Sequence, residues 1–150
     1  MLKKPIINYT QIEKRIIPLV RILNEVPFIR TTISCQGHFS LDDIKNHKDK
    51  ALVAFEVDET CLDEYEKLMK EVLSKTADDW TTYGVDFYRR YYMSPQDDHL
   101  QIQDSVEISP FGYAPSRRAD KKEKRECTDE GIKRVTDIIK EYLERGKPNT

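Results

Sequence analysis

The segment Ala51-Leu52-Val53-Ala54-Phe55-Glu56-Val57 limits the fold more than any other in this chain. It is almost continuously apolar and too short for a self-contained helix, so it reads as a central strand covered on both faces. A central strand needs neighbours, and three other segments have strand character. Phe28 to Cys35 carries the β-branched residues Ile29, Thr31, Thr32 and Ile33. Val85 to Met93 and Leu100 to Ser109 flank Ser94-Pro95-Gln96-Asp97-Asp98-His99, whose proline and aspartates favour a turn, so the pair reads as a hairpin. Leu100, Ile102, Val106 and Ile108 alternate with polar residues, which gives that strand one buried face and one wet face.

The remaining apolar residues fall at helical spacing. Thr10-Gln11-Ile12-Glu13 reads as a capping box, followed by Ile12, Ile16, Leu19, Val20 and Leu23, which predicts a helix over 10–25. Pro18 should kink it, because an interior proline costs about 3 kcal/mol and one hydrogen bond. Asp58 is placed to cap a second helix, with Val57 and Leu62 as a hydrophobic staple and Tyr65, Leu68, Met69, Val72 and Leu73 along its face to Lys75. Thr128 is placed to cap the last helix, with Cys127 and Ile132 as its staple, the stripe Ile132, Val135, Ile138, Ile139, Tyr142 and Leu143, and an end at Gly146 and Pro148. Residues 112–127 mix Gly, Pro and Ser with a Lys/Arg/Glu run that includes Arg117-Arg118, and read as a solvated connector; residues 146–150 read as a frayed tail.

The order is therefore α-β-β-α-β-β-α. Each helix has one apolar stripe to bury, so the expected architecture is a single α+β domain over 1–150, a mostly antiparallel four-stranded sheet packed by three helices. A chain of 150 residues buries roughly 68–70% of its unfolded surface, enough for a core without metal or disulfide staples. With 25 basic and 27 acidic residues the net charge is −2, which excludes a global attraction to nucleic acid or anionic membrane. Three widely spaced cysteines argue against a disulfide framework and for a reducing compartment. Met1-Leu2-Lys3-Lys4 runs into Pro5 and Asn8 rather than an apolar leader core, and no membrane-spanning run is present, so the expected address is cytoplasmic.

Thr31-Thr32-Ile33-Ser34-Cys35-Gln36-Gly37-His38 gathers hydroxyls, a thiol, a glycine and an imidazole where a strand ends. Residues 36–50 after it lack periodicity apart from a short helical turn at Leu41 to Ile44, and a structureless connection beyond about 12–15 residues usually serves a purpose. Gly37 allows backbone N–H groups to approach a ligand, and with Thr32, Ser34, Gln36 and His47 they make a loop for a small anionic or nucleotide-like molecule. Neither a lysine nor a helix start follows, which excludes a Walker-type site.

An alternative is a thiol hydrolase, with Cys35 activated by His38 or His47 and oriented by Asp42 or Asp43. Zinc is the third chemistry, through Cys35, His38 and His47, but the paired spacings of a structural zinc site are missing and no metal is assigned. The plain structural reading is that Gly37 supplies a positive φ and Cys35 is a small core residue, on the same face of the strand as Ile33 and Thr31. Cys61, Cys127 and His99 have local structural explanations.

Asp86-Phe87-Tyr88-Arg89-Arg90-Tyr91-Tyr92 interleaves aromatics with arginines. Alternation puts Phe87, Arg89 and Tyr91 on one face and Tyr88, Arg90 and Tyr92 on the other, a platform on which single-stranded RNA or a nucleotide can stack. The competing reading is packing, with arginine paired across strands to Asp104 or Glu107.

The passage from Asn24 to His38, a helix end leading into Phe28-Ile29-Arg30-Thr31-Thr32-Ile33-Ser34-Cys35-Gln36-Gly37, resembles the start of the tRNA wybutosine-synthesising methyltransferase family. There a helix leads into a strand ending in a Thr-rich Ser-Cys-Ser-Gly-Arg motif. Gln36 and His38 stand where that family has serine and arginine. The strand over 51–57 and the helix over 58–75 fit the same order. The resemblance implies an α/β domain that binds S-adenosylmethionine and acts on a modified guanosine in tRNA, with Ser34, Cys35 and Gly37 in its ligand loop. The expectations are thus a binding module for a small molecule or, as the alternative, an enzyme: an RNA methyltransferase relative or a hydrolase using Cys35 and His38. A protein-interaction domain is the third class.

Overall fold

The computed structural model describes residues 2–39, 50–111 and 120–147. Three helices, α1 (Ile17–Glu25), α2 (Leu62–Thr76) and α3 (Lys121–Arg145), and four strands, β1 (Ile29–Cys35), β2 (Ala51–Val57), β3 (Tyr83–Met93) and β4 (Leu100–Pro110), follow the predicted order. All pairings are antiparallel and the sheet order is β1-β2-β4-β3. The β3–β4 hairpin thus docks through its second strand, and α2 carries the chain from β2 past β4 to the far edge.

The helices lie on one face of this sheet. Leu19 and Leu23 of α1, Leu68 and Val72 of α2, and Val135 and Ile138 of α3 share one core with Val53, Phe55, Val106 and Ile108. The expectation that β2 is covered on both faces is therefore corrected for the described residues: Leu52 and Glu56 face away from the helices and are partly exposed. Its apolar run is continuous because the small Ala54, opposite Ile33 and Ser105, is shielded by its neighbours on that second face.

Three element starts differ from prediction, each for a local reason. The first helix begins at Ile17 rather than at residue 10. The Asn8 carboxamide accepts from the Thr10 N–H and opens a 3-10 turn over Tyr9–Gln11, and a second such turn covers Lys14–Ile16. Pro18 consequently sits in the first turn, where a missing N–H costs nothing, and the predicted kink is absent. Asp58 does act as a cap, but for a 3-10 turn over Glu59–Cys61; α2 follows from Leu62, whose side chain is partly exposed.

The last helix starts at Lys121, because the Asp120 carboxylate accepts from the Glu123 N–H at 2.7 Å. The solvated connector expected over 112–127 is thus helical from Lys121 to Cys127, while 112–119 lie outside the described residues. Thr128 is fully buried inside α3 rather than its cap, so Cys127 is not half of a staple.

α3 packs tightly against the sheet at Gly131, where an added Cβ would sit 2.6 Å from Cγ2 of Ile108 and 2.9 Å from the Tyr83 ring. At the other end of the sheet the hairpin overhangs. β2 pairs with β4 only from Asp104 to Ile108, so Leu100–Gln103 and Arg90–Met93 project as a two-stranded ribbon.

Candidate functional site at the exit of β1

The geometry of the Thr31-to-His38 stretch begins with a break in the β1–β2 ladder. Thr31 pairs with Phe55, Ile33 with Ala54 and Cys35 with Leu52, so one extra residue, Thr32, bulges from β1. Because of that bulge Cys35 shares a face with Ile33 but not with Thr31, which corrects the simple alternation. Thr31 faces α1, where its N–H donates to the Asn24 carboxamide at 3.0 Å. Ser34 pairs with Val53 on the helix side, and Thr32 receives a hydrogen bond from Gln103 at 3.4 Å. Thr32 and Ser34 are thereby directed elsewhere, and among the described candidates only Cys35, Gln36, Gly37 and His38 converge.

They converge on Glu13. One carboxylate oxygen accepts the Gln36 N–H at 3.1 Å and the other lies 3.0 Å from Nε2 of His38. The Cys35 sulfur accepts the Gly37 N–H at 3.5 Å, and one ligating atom each of Glu13, Cys35 and His38 falls within 4.8 Å of the other two. The Gln36 side chain reaches back to the Arg15 N–H at 3.1 Å, which fixes the N-terminal segment against the turn. Burial, followed by the Glu13 carboxylate, pushes the Cys35 thiol above its ordinary pKa, outweighing the Gly37 N–H and Arg125, which act to lower it.

The turn is gripped from α3. Arg125 donates to the carbonyls of Gln36 at 2.8 Å and Gly37 at 3.0 Å, stacks over the Phe39 ring at 4.9 Å, and is held by Asp129, which also pairs with Arg15. Gly37 has φ +91°, which favours glycine, and a Cβ there would also lie 2.9 Å from the tip of the Phe39 ring and 3.3 Å from the Lys50 backbone. His47, Asp42, Asp43 and the turn expected at Leu41 to Ile44 lie outside the described residues.

Glu13, Arg125 and Asp129 were not among the expected site residues. The sequence pattern assigns Glu13 to a capping box with Thr10, but Asn8 caps the first turn instead. Arg125 falls in the stretch whose composition reads as a connector, although Asp120-Lys121-Lys122-Glu123 is itself a cap pattern and Arg125 to Asp129 an i,i+4 pair, signals that put this stretch on a helix.

The arginine–aromatic stretch resolves into two faces as expected. Arg89 makes a bidentate pair with Asp104, at 2.9 and 3.1 Å, and Asp104 is only 2% exposed. Burial, then the Asp104 charge, raises the Tyr65 hydroxyl well above the usual range for tyrosine. On the opposite face Tyr88 and Arg90 are exposed and Arg90 lies 5.2 Å over the Tyr92 ring. A separate groove of about 700 Å³ runs between the end of α1, α2 and α3, lined by Pro27, Phe28, Tyr142, Leu143 and the Glu71–Arg145 ion pair. None of the described candidate site residues lines it.

No helix among the described residues is long and apolar enough to cross a membrane. The chain matches no family model, no curated protein and no solved structure.

Proposed function

We propose that this chain is a small-molecule or ion-binding module whose seat is the turn at the exit of β1. The observation that carries this reading is the convergence of Glu13, Cys35 and His38, from separate segments, on a turn braced by Arg125. A half-buried arginine that donates to two backbone carbonyls fixes the turn's shape, and pre-formed shape is what a binding site requires. The expected anion cradle is partly filled from within. Glu13 already accepts the Gln36 N–H and faces His38, so an anionic or nucleotide-like ligand enters by taking the place of that carboxylate.

Catalysis by Cys35 draws less support. Its thiol is raised rather than lowered, and His38 is engaged by Glu13 instead of standing ready to take a proton from sulfur. The resemblance to the wybutosine-synthesising methyltransferases gains nothing from the seat, where Ser34 points away from Cys35. A nucleic-acid role is left with Tyr88, Arg90 and Tyr92, beside the acidic Asp86 and Glu107 and without Arg89, which Asp104 holds.

Thermal unfolding of the full chain with zinc chloride, inorganic phosphate, ATP and S-adenosylmethionine tests the reading. A bound ligand at 100 times its Kd adds about 2.7 kcal/mol of stability, or roughly 5–11 °C in a chain of this size. The expected result is such a shift with at least one of the four, reduced in Glu13→Ala if the ligand is zinc and enlarged if it is an anion that takes the place of the carboxylate. Absence of any shift across the set removes the reading.

A further inference from the structure

Resting on the reading of this turn as the binding seat, we infer that its ligand is one thiophilic divalent cation of the zinc class, held by the Glu13 carboxylate, the Cys35 sulfur and the His38 imidazole. The donor set decides the class of ion. Magnesium and calcium take oxygen ligands, whereas a sulfur, a nitrogen and one carboxylate oxygen suit zinc and its neighbours cobalt, nickel and copper.

The geometry needs little adjustment. Zinc bond lengths of about 2.0–2.3 Å place tetrahedral donors roughly 3.3–3.6 Å apart. The three ligating atoms already lie within 4.8 Å of one another, with His38 Nε2 and Glu13 at 3.0 Å, so side-chain rotation closes the site without moving the backbone. The outer contacts are those of a metal seat. The second Glu13 oxygen is anchored by the Gln36 N–H, the Gly37 N–H points at the sulfur, and Arg125 holds the carbonyls of the turn.

Binding breaks the Cys35 S–H bond, releases its proton to solvent and places a sulfur lone pair on the cation; His38 and Glu13 exchange their mutual contact for bonds to the same ion. One dication, two anionic ligands and a neutral imidazole sum to zero charge. Three protein ligands leave a coordination position for water or an exogenous donor, the pattern of an exchangeable rather than a closed structural site. No residue outside the described ones is needed for this set.

Cobalt(II) added to the full-length reduced protein supplies the test, because thiolate coordination gives a near-ultraviolet charge-transfer band and low coordination number gives intense visible bands. The expected result is saturation at one equivalent, displacement by zinc, loss of the charge-transfer band in Cys35→Ser, and at least about tenfold weaker binding in His38→Ala and Glu13→Gln. Circular dichroism of each variant separates lost binding from lost folding, and Cys61→Ser and Cys127→Ser should leave the band intact. Absence of the band in the wild-type chain, or its survival in Cys35→Ser, overturns the cation. If the band is absent while phosphate or ATP still shifts the melting temperature, the seat stands and only its ion is wrong; if neither responds, both fall.

Discussion

At the scale of the residue, the seat is a set of opposing demands on one short turn. Gly37 provides a backbone conformation that other residues rarely adopt, Arg125 satisfies two carbonyls, and Glu13 takes up the donors on the opposite side. The thiol pays for this company. Burial and then Glu13 disfavour its anion, so less thiolate is present at any given pH. Iodoacetamide at pH 8 in metal-free buffer should therefore alkylate Cys35 more slowly than it does a small free thiol, and Glu13→Gln should speed the reaction. Mass mapping of the modified cysteine checks both, and a rate equal to or above the free thiol's would contradict the assigned environment.

How much of the site the sequence revealed follows from distance along the chain. Cys35, Gln36, Gly37 and His38 were legible because they are contiguous and chemically unlike their surroundings. Glu13 and Arg125 were not, because their contacts reach Gln36 from 23 and 89 residues away. The direction of Cys35 was hidden for a different reason: one extra residue in an edge strand resets the alternation that side-chain counting assumes.

At the scale of the element, the strands were more legible than the helix starts. A buried strand announces itself by composition, as Ala51–Val57 does, whereas a helix start depends on which of several polar residues wins the cap. Asn8, Asp120 and Pro18 decided those contests against Thr10 and Thr128. α3 also carries a constraint with no sequence signature, since Gly131 reads as an ordinary weak helix residue until its contacts are known. Gly131→Ala gains about 1 kcal/mol of helix propensity but drives a methyl into Ile108 and Tyr83. Overpacking of this kind costs roughly 1–3 kcal/mol, more where backbone must shift. The expected outcome is a net loss of up to about 2 kcal/mol, read as a lower urea midpoint with unchanged slope. An unchanged or higher midpoint would show that α3 does not bear on the sheet there.

At the scale of the molecule, α2 and α3 are tied across the groove by Glu71, which meets Lys75 of its own helix and Arg145 of α3. Partial burial works to raise the Glu71 carboxyl, but hydrogen bonds from Arg145 and Lys75 outweigh it and hold the group below its ordinary pKa. A carboxyl depressed in the folded state adds stability above its unfolded pKa of about 4.3 and loses it as the pH falls through the folded value. Glu71→Gln should thus be less stable than the wild type at pH 7, with the gap closing below about pH 4. Denaturant titrations at the two pH values check this, and a gap that does not change with pH would assign the loss to packing instead of charge.

The overhanging ribbon has a practical consequence. Its turn, from Ser94 to His99, lies at the end of the sheet opposite Cys35, since β4 meets β2 near Leu52 through Glu107 and leaves it beyond Asp104. Extra sequence inserted there lengthens a largely exposed turn at the pole opposite Cys35. An affinity handle, a fluorescent label or an entire fused partner is best grafted at that tip, leaving the chemistry at the other pole undisturbed.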